Sequence, residues 1–173
     1  MLNPELTDIF ARRSVRVYRE GEVSEDMLKD LLAAGMAAPS ARAQDPWHFI
    51  VLRTEAMLNR VADGLPHGQM LRQAAAGIVV CGDLEQAHDG QESYMLQDCS
   101  AAIENILLAA SKLGLGAVWL GVHPRADRST HIREVFGLPE SIVPISVISI
   151  GQPGQEPAPR TRYSENAVHW EQW

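Results

Sequence analysis

Apolar residues recur along this chain with two different periods. Near the N-terminus Leu6, Ile9 and Phe10 fall on one side of a helix that opens with Asn3 as N-cap. Pro4 takes the first helical position, where its missing N–H costs nothing. A second helix starts near Ser24, with Val23 and Leu28 forming a hydrophobic staple across that cap. Its stripe is Met27, Leu28, Leu31, Leu32 and Met36, and Pro39 stops it. The runs 47–52, 77–82, 117–122 and 143–151 are rich in β-branched or aromatic residues and bounded by Gly, Pro or Asp, so they read as strands.

The longest helix is predicted over 94–113. Cys99, Ile103, Ile106, Leu107, Ala110 and Leu113 recur at helical spacing, and Ala101, Ala102 and Ala109 make other faces small and apolar. A helix apolar nearly all round is buried, at a domain centre or against a partner subunit. The glycines of "LGLG" (113–116) suit a left-handed C-cap. After Gly151 no periodicity is convincing, yet the tail ends in "VHWEQW", whose two tryptophans need cover. Packing across a neighbouring subunit supplies that cover; the alternative is a disordered tail. The 173 residues suit one domain, taken as 1–173.

Charge narrows the partners. Fifteen Lys and Arg face 22 Asp and Glu, a formal charge of -7, which argues against nucleic acid or an anionic membrane surface as partner. No apolar run approaches the ~20 residues of a membrane span, and no basic-then-apolar leader is visible, so a cytoplasmic protein is expected. Cys81 and Cys99 are too few and too far apart for a disulfide scaffold or zinc site, and each sits in an apolar run as a buried thiol would.

Against that acidic background two basic clusters stand out: "ARRSVRVY" (11–18) and "PRTRY" (159–163). Guanidinium forks pair with phosphate bidentately, and a hydroxyl adds a neutral donor. In an extended segment Arg12, Ser14 and Arg16 point to one side. The competing reading is a solvated basic helix end favoured by the macrodipole. Arg160 and Arg162 repeat the alternation; a solvated tail is their alternative. "AAPSARAQDPWHF" (37–49) follows a stopped helix with small residues whose backbone groups suit the edge of a flat ligand, or is an ordinary loop packing Trp47. "GAVWLGV" (116–122) is a strand suited to close approach by a ring, or a plain core strand.

Other chemistry is missing from the pattern. There is no GxGxxG after a strand, no GxxxxGK[ST], no GxSxG, and no histidine pair at metal-ligand spacing. With no protein-borne nucleophile visible, the hard chemistry of an enzyme built this way belongs to a cofactor.

Taken in order, "RRSVRVY", "AAPSARAQDPWHFIVL", "QDCSAAIENILLAASKLGLGAVWLGV" and "IGQPGQEPAPRTRY" with "VHWEQW" resemble the FMN-dependent nitroreductase family, in its small bacterial and archaeal form. The resemblance spans nearly the whole chain. It implies an α+β fold, a mixed β-sheet flanked by helices, in an intertwined homodimer with the C-terminal tail crossing to the partner and FMN at the interface. It assigns FMN contacts to Arg12, Arg13, Ser14 and Arg16. It gives the phosphate to Arg160 and Arg162, loop contacts from the other subunit to Pro39, Ser40 and Ala41, and the strand behind the ring to Val118, Trp119, Leu120 and Gly121. The implied activity is NAD(P)H-dependent, ping-pong reduction of small acceptors such as nitroaromatics, quinones or flavins, with no obligatory catalytic side chain. Two rival readings are an FMN reservoir or sensor without steady turnover, and a specialised reductive dehalogenase-like member.

One stretch departs from the family. Where relatives often carry "NxQPW", this chain has "AQDPW", with Ala43 in place of the asparagine and Asp45 in place of the glutamine. Alanine offers no side-chain hydrogen bond. Asp45 is expected to turn away from the ring and pair with an arginine, since an unpaired buried carboxylate is costly.

Overall fold

The computed structural model describes residues 3–173, with ten regular elements among several short 3₁₀ turns. Asn3 caps a 3₁₀ turn, Pro4–Leu6, by accepting from the Glu5 N–H, and the turn leads into α1, Thr7–Ala11. β1, Tyr18–Arg19, follows. α2, Glu25–Met36, starts where Ser24 accepts from the Met27 N–H. Next come β2, Trp47–Leu52; α3, Glu55–Asp63; β3, Ala76–Asp83; and α4, Glu92–Lys112. β4, Gly116–Gly121, α5, Ala126–Phe136, and β5, Ile142–Pro153, complete the order.

Every ladder between these strands is antiparallel. β5 is the spine: it pairs with β3 and with β4, while β3 carries β2 on its far edge and β1 pairs with the last two residues of β5. The parallel component is a single bridge, Ser14↔Ala117, which lays the first basic cluster beside the start of β4.

The buried strands separate two cores by simple alternation. Ile78, Val80, Ile148 and Ile150 face α2 and α4, packing with Leu28, Leu31, Cys99, Ile103 and Ile106. Val79, Cys81 and Val147 face the other way, against Leu58, Val61, Leu65 and Ile132 from the α3 and α5 side. The long apolar helix therefore lies at the centre of the first core. Gly35 lets α2 approach it closely: a Cβ there would stand 2.9 Å from two side-chain carbons of Ile106. Gly114, at φ +73, supplies the expected left-handed end of α4.

Both cysteines are free and buried. Met36, expected in the stripe of α2, is instead exposed, because the helix ends there and the chain turns away toward Pro39. The tail remains largely uncovered within one chain: Trp170 is 85% exposed and Trp173 102%. Among the described residues no helix is long and apolar enough to cross a membrane, and no group of acidic, histidine or cysteine side chains could hold a metal ion.

Candidate functional site

The two basic clusters, from opposite ends of the chain, meet. Arg12, Arg13, Ser14 and Arg16 line one cavity of ≈ 410 Å³ with Arg160, Arg162 and Ile9. Backbone contacts hold the ends together. The Arg160 N–H donates to the Phe10 carbonyl at 3.2 Å, and the Arg13 guanidinium donates to the Ala158 carbonyl. Arg12 is gripped from α4, its Nε 2.9 Å from the Glu104 carboxylate, which leaves its terminal amino groups for other partners. Among the described residues no other carboxylate pairs with these arginines, and the guanidiniums of Arg13, foremost, and Arg162 lower the pKa of Arg160.

Arg16 also borders a second cavity of ≈ 210 Å³, with Leu65, His67, Gly68, Trp119, Leu120, Gly121 and Arg128. This one is walled by β4 and by the loop after α3. In β4 the side chains alternate: Val118 is buried in the second core, whereas Trp119 is partly exposed at the cavity. Arg128, from α5, donates to the Gly121 carbonyl at 2.7 Å and so fixes the end of that strand. The two cavities share Arg16: the first is lined mostly by arginines, the second in larger part by apolar groups. That arrangement suits a ligand with a phosphate at one end and a ring system at the other.

Pro39, Ser40 and Ala41 line neither cavity. They sit beyond α2, where the Ala41 N–H donates to the buried Asp98 carboxylate of α4 at 2.9 Å. The loop that follows is strained, with Arg42, Ala43 and Asp45 all at positive φ, +57, +54 and +49. Asp45 has a partner, but not the arginine expected: the Ser40 hydroxyl donates to its carboxylate, and the Asp45 N–H donates back to Ser40 Oγ at 3.0 Å. A serine five residues away satisfies the carboxylate locally, so no arginine is required.

Of the residues expected from sequence, Arg12, Arg13, Ser14, Arg16, Arg160 and Arg162 line the first cavity and Trp119, Leu120 and Gly121 the second, whereas Val118 is turned into the core. Leu65, His67, Gly68 and Arg128 were not expected there. His67 and Gly68 lie in an irregular stretch without periodicity. Arg128 looks in sequence like any exposed arginine on a polar helix; only its bond to Gly121 marks it.

Comparison with known proteins points one way. The profile described as the Nitroreductase family matches residues 9–152. A protein of Archaeoglobus fulgidus, provisionally named an NADH dehydrogenase/NAD(P)H nitroreductase, is 45% identical over 95% of this chain and 96% of its own. The crystal structure of a provisionally named NADH dehydrogenase/NAD(P)H nitroreductase from Bacteroides thetaiotaomicron superposes with a TM-score of 0.92 at 41% identity, covering 100% of both chains. A provisionally named nitroreductase from Desulfovibrio desulfuricans, solved in complex with FMN, gives 0.85 at 30% identity, over 100% of this chain and 99% of that one.

Proposed function

The chain belongs to the nitroreductase family, and from that premise we propose that it is a single-domain, FMN-dependent oxidoreductase drawing on NADH or NADPH. The observation that carries this reading is the meeting of Arg12–Arg16 with Arg160 and Arg162 around one cavity that shares Arg16 with the cavity beside Trp119. The residues present fit FMN. Paired guanidiniums and a hydroxyl match a phosphate, and a strand end with Trp119, Leu120 and Gly121 offers a wall for a flat ring.

FMN held there would supply hydride-transfer chemistry between NAD(P)H and a nitroaromatic, quinone or flavin acceptor, in the ping-pong manner proposed here. The protein's part is binding and electrostatics. Glu104 orients Arg12 so that its terminal amino groups meet the phosphate. Arg16, which lines both cavities, would set a positive charge beside a ring bound in the second. Arg128 holds the Gly121 carbonyl, so the peptide at the end of β4 keeps one orientation toward the cavity. Pro39, Ser40 and Ala41 line neither of these two cavities. In the homodimer proposed here they approach the ring bound by the partner subunit.

The purified protein is expected to be yellow and to be bleached anaerobically by NADH, NADPH or both. Initial rates against donor and acceptor should give the parallel reciprocal plots of a ping-pong enzyme. A yellow protein that neither nucleotide bleaches would be a flavin carrier and would end the enzymatic reading.

A further inference from the structure

Asp98 lies on α4 with only 6% of its surface exposed. One carboxylate oxygen, Oδ1, accepts from the Ala41 N–H at 2.9 Å. The other, Oδ2, is shut off from solvent and has no hydrogen-bond partner among the described residues. A buried polar atom left unpaired costs free energy and calls for an explanation. Asp98 lines neither the cationic cavity nor the one beside Trp119, so any part it has in the site runs through Ala41.

What Asp98 holds is the start of a strained loop. Arg42, Ala43 and Asp45 all stand at positive φ without a glycine among them. Strain of this kind persists only where the surroundings over-determine it, and it gathers at functional sites. Three contacts do the determining here. Before Pro39, the Asn105 side chain of α4 donates to the Ala34 carbonyl of α2 at 3.1 Å. After Pro39, Asp98 of the same helix takes the Ala41 N–H. Beyond that, Ser40 and Asp45 close the loop on itself, the Asp45 N–H reaching Ser40 Oγ at 3.0 Å. Residues 42–45 are left exposed on a preformed frame. α4 also carries Glu104, the anchor of Arg12. One helix therefore references both the arginine end of this chain's own site and the loop after α2.

Resting on the reading that Pro39, Ser40 and Ala41 approach the ring bound by the partner subunit, we infer that Asp98 is a positioning residue for flavin binding. Through the Ala41 N–H it holds the 39–45 loop in the conformation that meets the ring, and the unpaired Oδ2 is the cost of placing a strong acceptor there.

The test titrates the full chain with FMN and with riboflavin, followed by flavin fluorescence. Asp98→Ala removes the acceptor, and Asp98→Leu does the same while filling the gap, should the alanine variant fail to fold. Asp98→Asn keeps an oxygen for the Ala41 N–H. Loss of the acceptor should loosen both flavins by the same factor, about tenfold, the scale of one charge-assisted hydrogen bond, because the loop serves the ring and not the phosphate. Asp98→Asn should recover most of that loss, with thermal melts checking that each variant is folded. In the parent, the Ala41 amide should exchange at least about tenfold more slowly than in an open chain before any flavin is added. Parent-like affinity without the acceptor, a loss confined to FMN, an asparagine variant no better than the others, or an unprotected Ala41 amide would each overturn this inference and leave the flavin site standing. A parent protein that binds neither flavin overturns both.

Discussion

Glu104 holds Arg12 by Nε, the one nitrogen of the guanidinium that points back along its own side chain. A phosphate then meets the two amino groups already aligned, so less ordering entropy is lost on binding. Arg12→Ala should weaken FMN by about 2 kcal/mol, roughly thirtyfold in Kd, and leave riboflavin, which lacks the phosphate, nearly unaffected. Equal loss for both flavins would make Arg12 structural. The loop after Pro39 invites a different substitution. Ala43 stands at φ +54, where an L-residue costs about 1–2 kcal/mol. Glycine removes that strain and returns about 0.4–1 kcal/mol as unfolded-state entropy. Ala43→Gly should therefore stabilise by about 0.5–1 kcal/mol in urea unfolding; a loss instead would mean that this conformation is not the resting one. The thiols give a pH prediction. Burial pushes Cys81 and Cys99 from an ordinary 9.0 up to about 12. The folded chain keeps protons that the unfolded chain releases, so this contribution is complete below pH 9 and declines from there to about pH 12. The slope is at most about 1.4 kcal/mol per pH unit for each thiol. Neither thiol should react with a disulfide reagent at pH 8 until the protein unfolds.

Between α2 and α4 the fit is tight at one point, the hydrogen of Gly35 against Ile106. Alanine is the better helix former by about 0.8–1 kcal/mol, but overpacking costs about 1–3 kcal/mol. Gly35→Ala should thus be destabilising, and Ile106→Val in the same chain should recover part of the loss; thermal melts of both decide it. This contact was invisible in sequence, where Gly35 interrupts a stripe without saying why. The four long strands and α4, by contrast, were legible to within two residues at each end, because their apolar runs are dense and bounded by breakers. α3 and α5 were not. α5 buries only Ile132 in its eleven residues, and α3 only Leu58, Val61 and Ala62, so neither shows a stripe long enough to read. β1 is two residues long and exists because β5 runs past its other neighbours. At the site, the arginines were legible because charge stands out in an acidic chain. Arg128 and His67 were not, since their place depends on which strand end they meet.

Leu6, Ile9 and Val17 are exposed, Ile9 and Val17 beside the arriving tail, and the tail's own Tyr163, Trp170 and Trp173 are uncovered. Large aromatics left bare on this scale mark an interface. A constitutive homodimer is the expected outcome in sedimentation, and an FMN-loaded monomer stable at micromolar concentration would refute it. Deleting residues 154–173 removes Arg160, Arg162 and the bond from Arg160 to Phe10 together. The shortened chain should lose its yellow colour and its partner in one step. Survival of either property alone would separate the flavin site from the interface.

Because Arg13 and Ala158 lie 145 positions apart, the cationic cavity has a place in time as well as in space. At about 5–20 residues per second, a ribosome needs roughly 7–30 seconds to travel from one wall of the cavity to the other. During that interval the first arginines are out and the tail arginines do not yet exist. If the flavin sits in this cavity as proposed, a nascent chain cannot capture it early and carry it through folding. Uptake waits for the end of synthesis, and colour becomes a certificate that translation reached the tail.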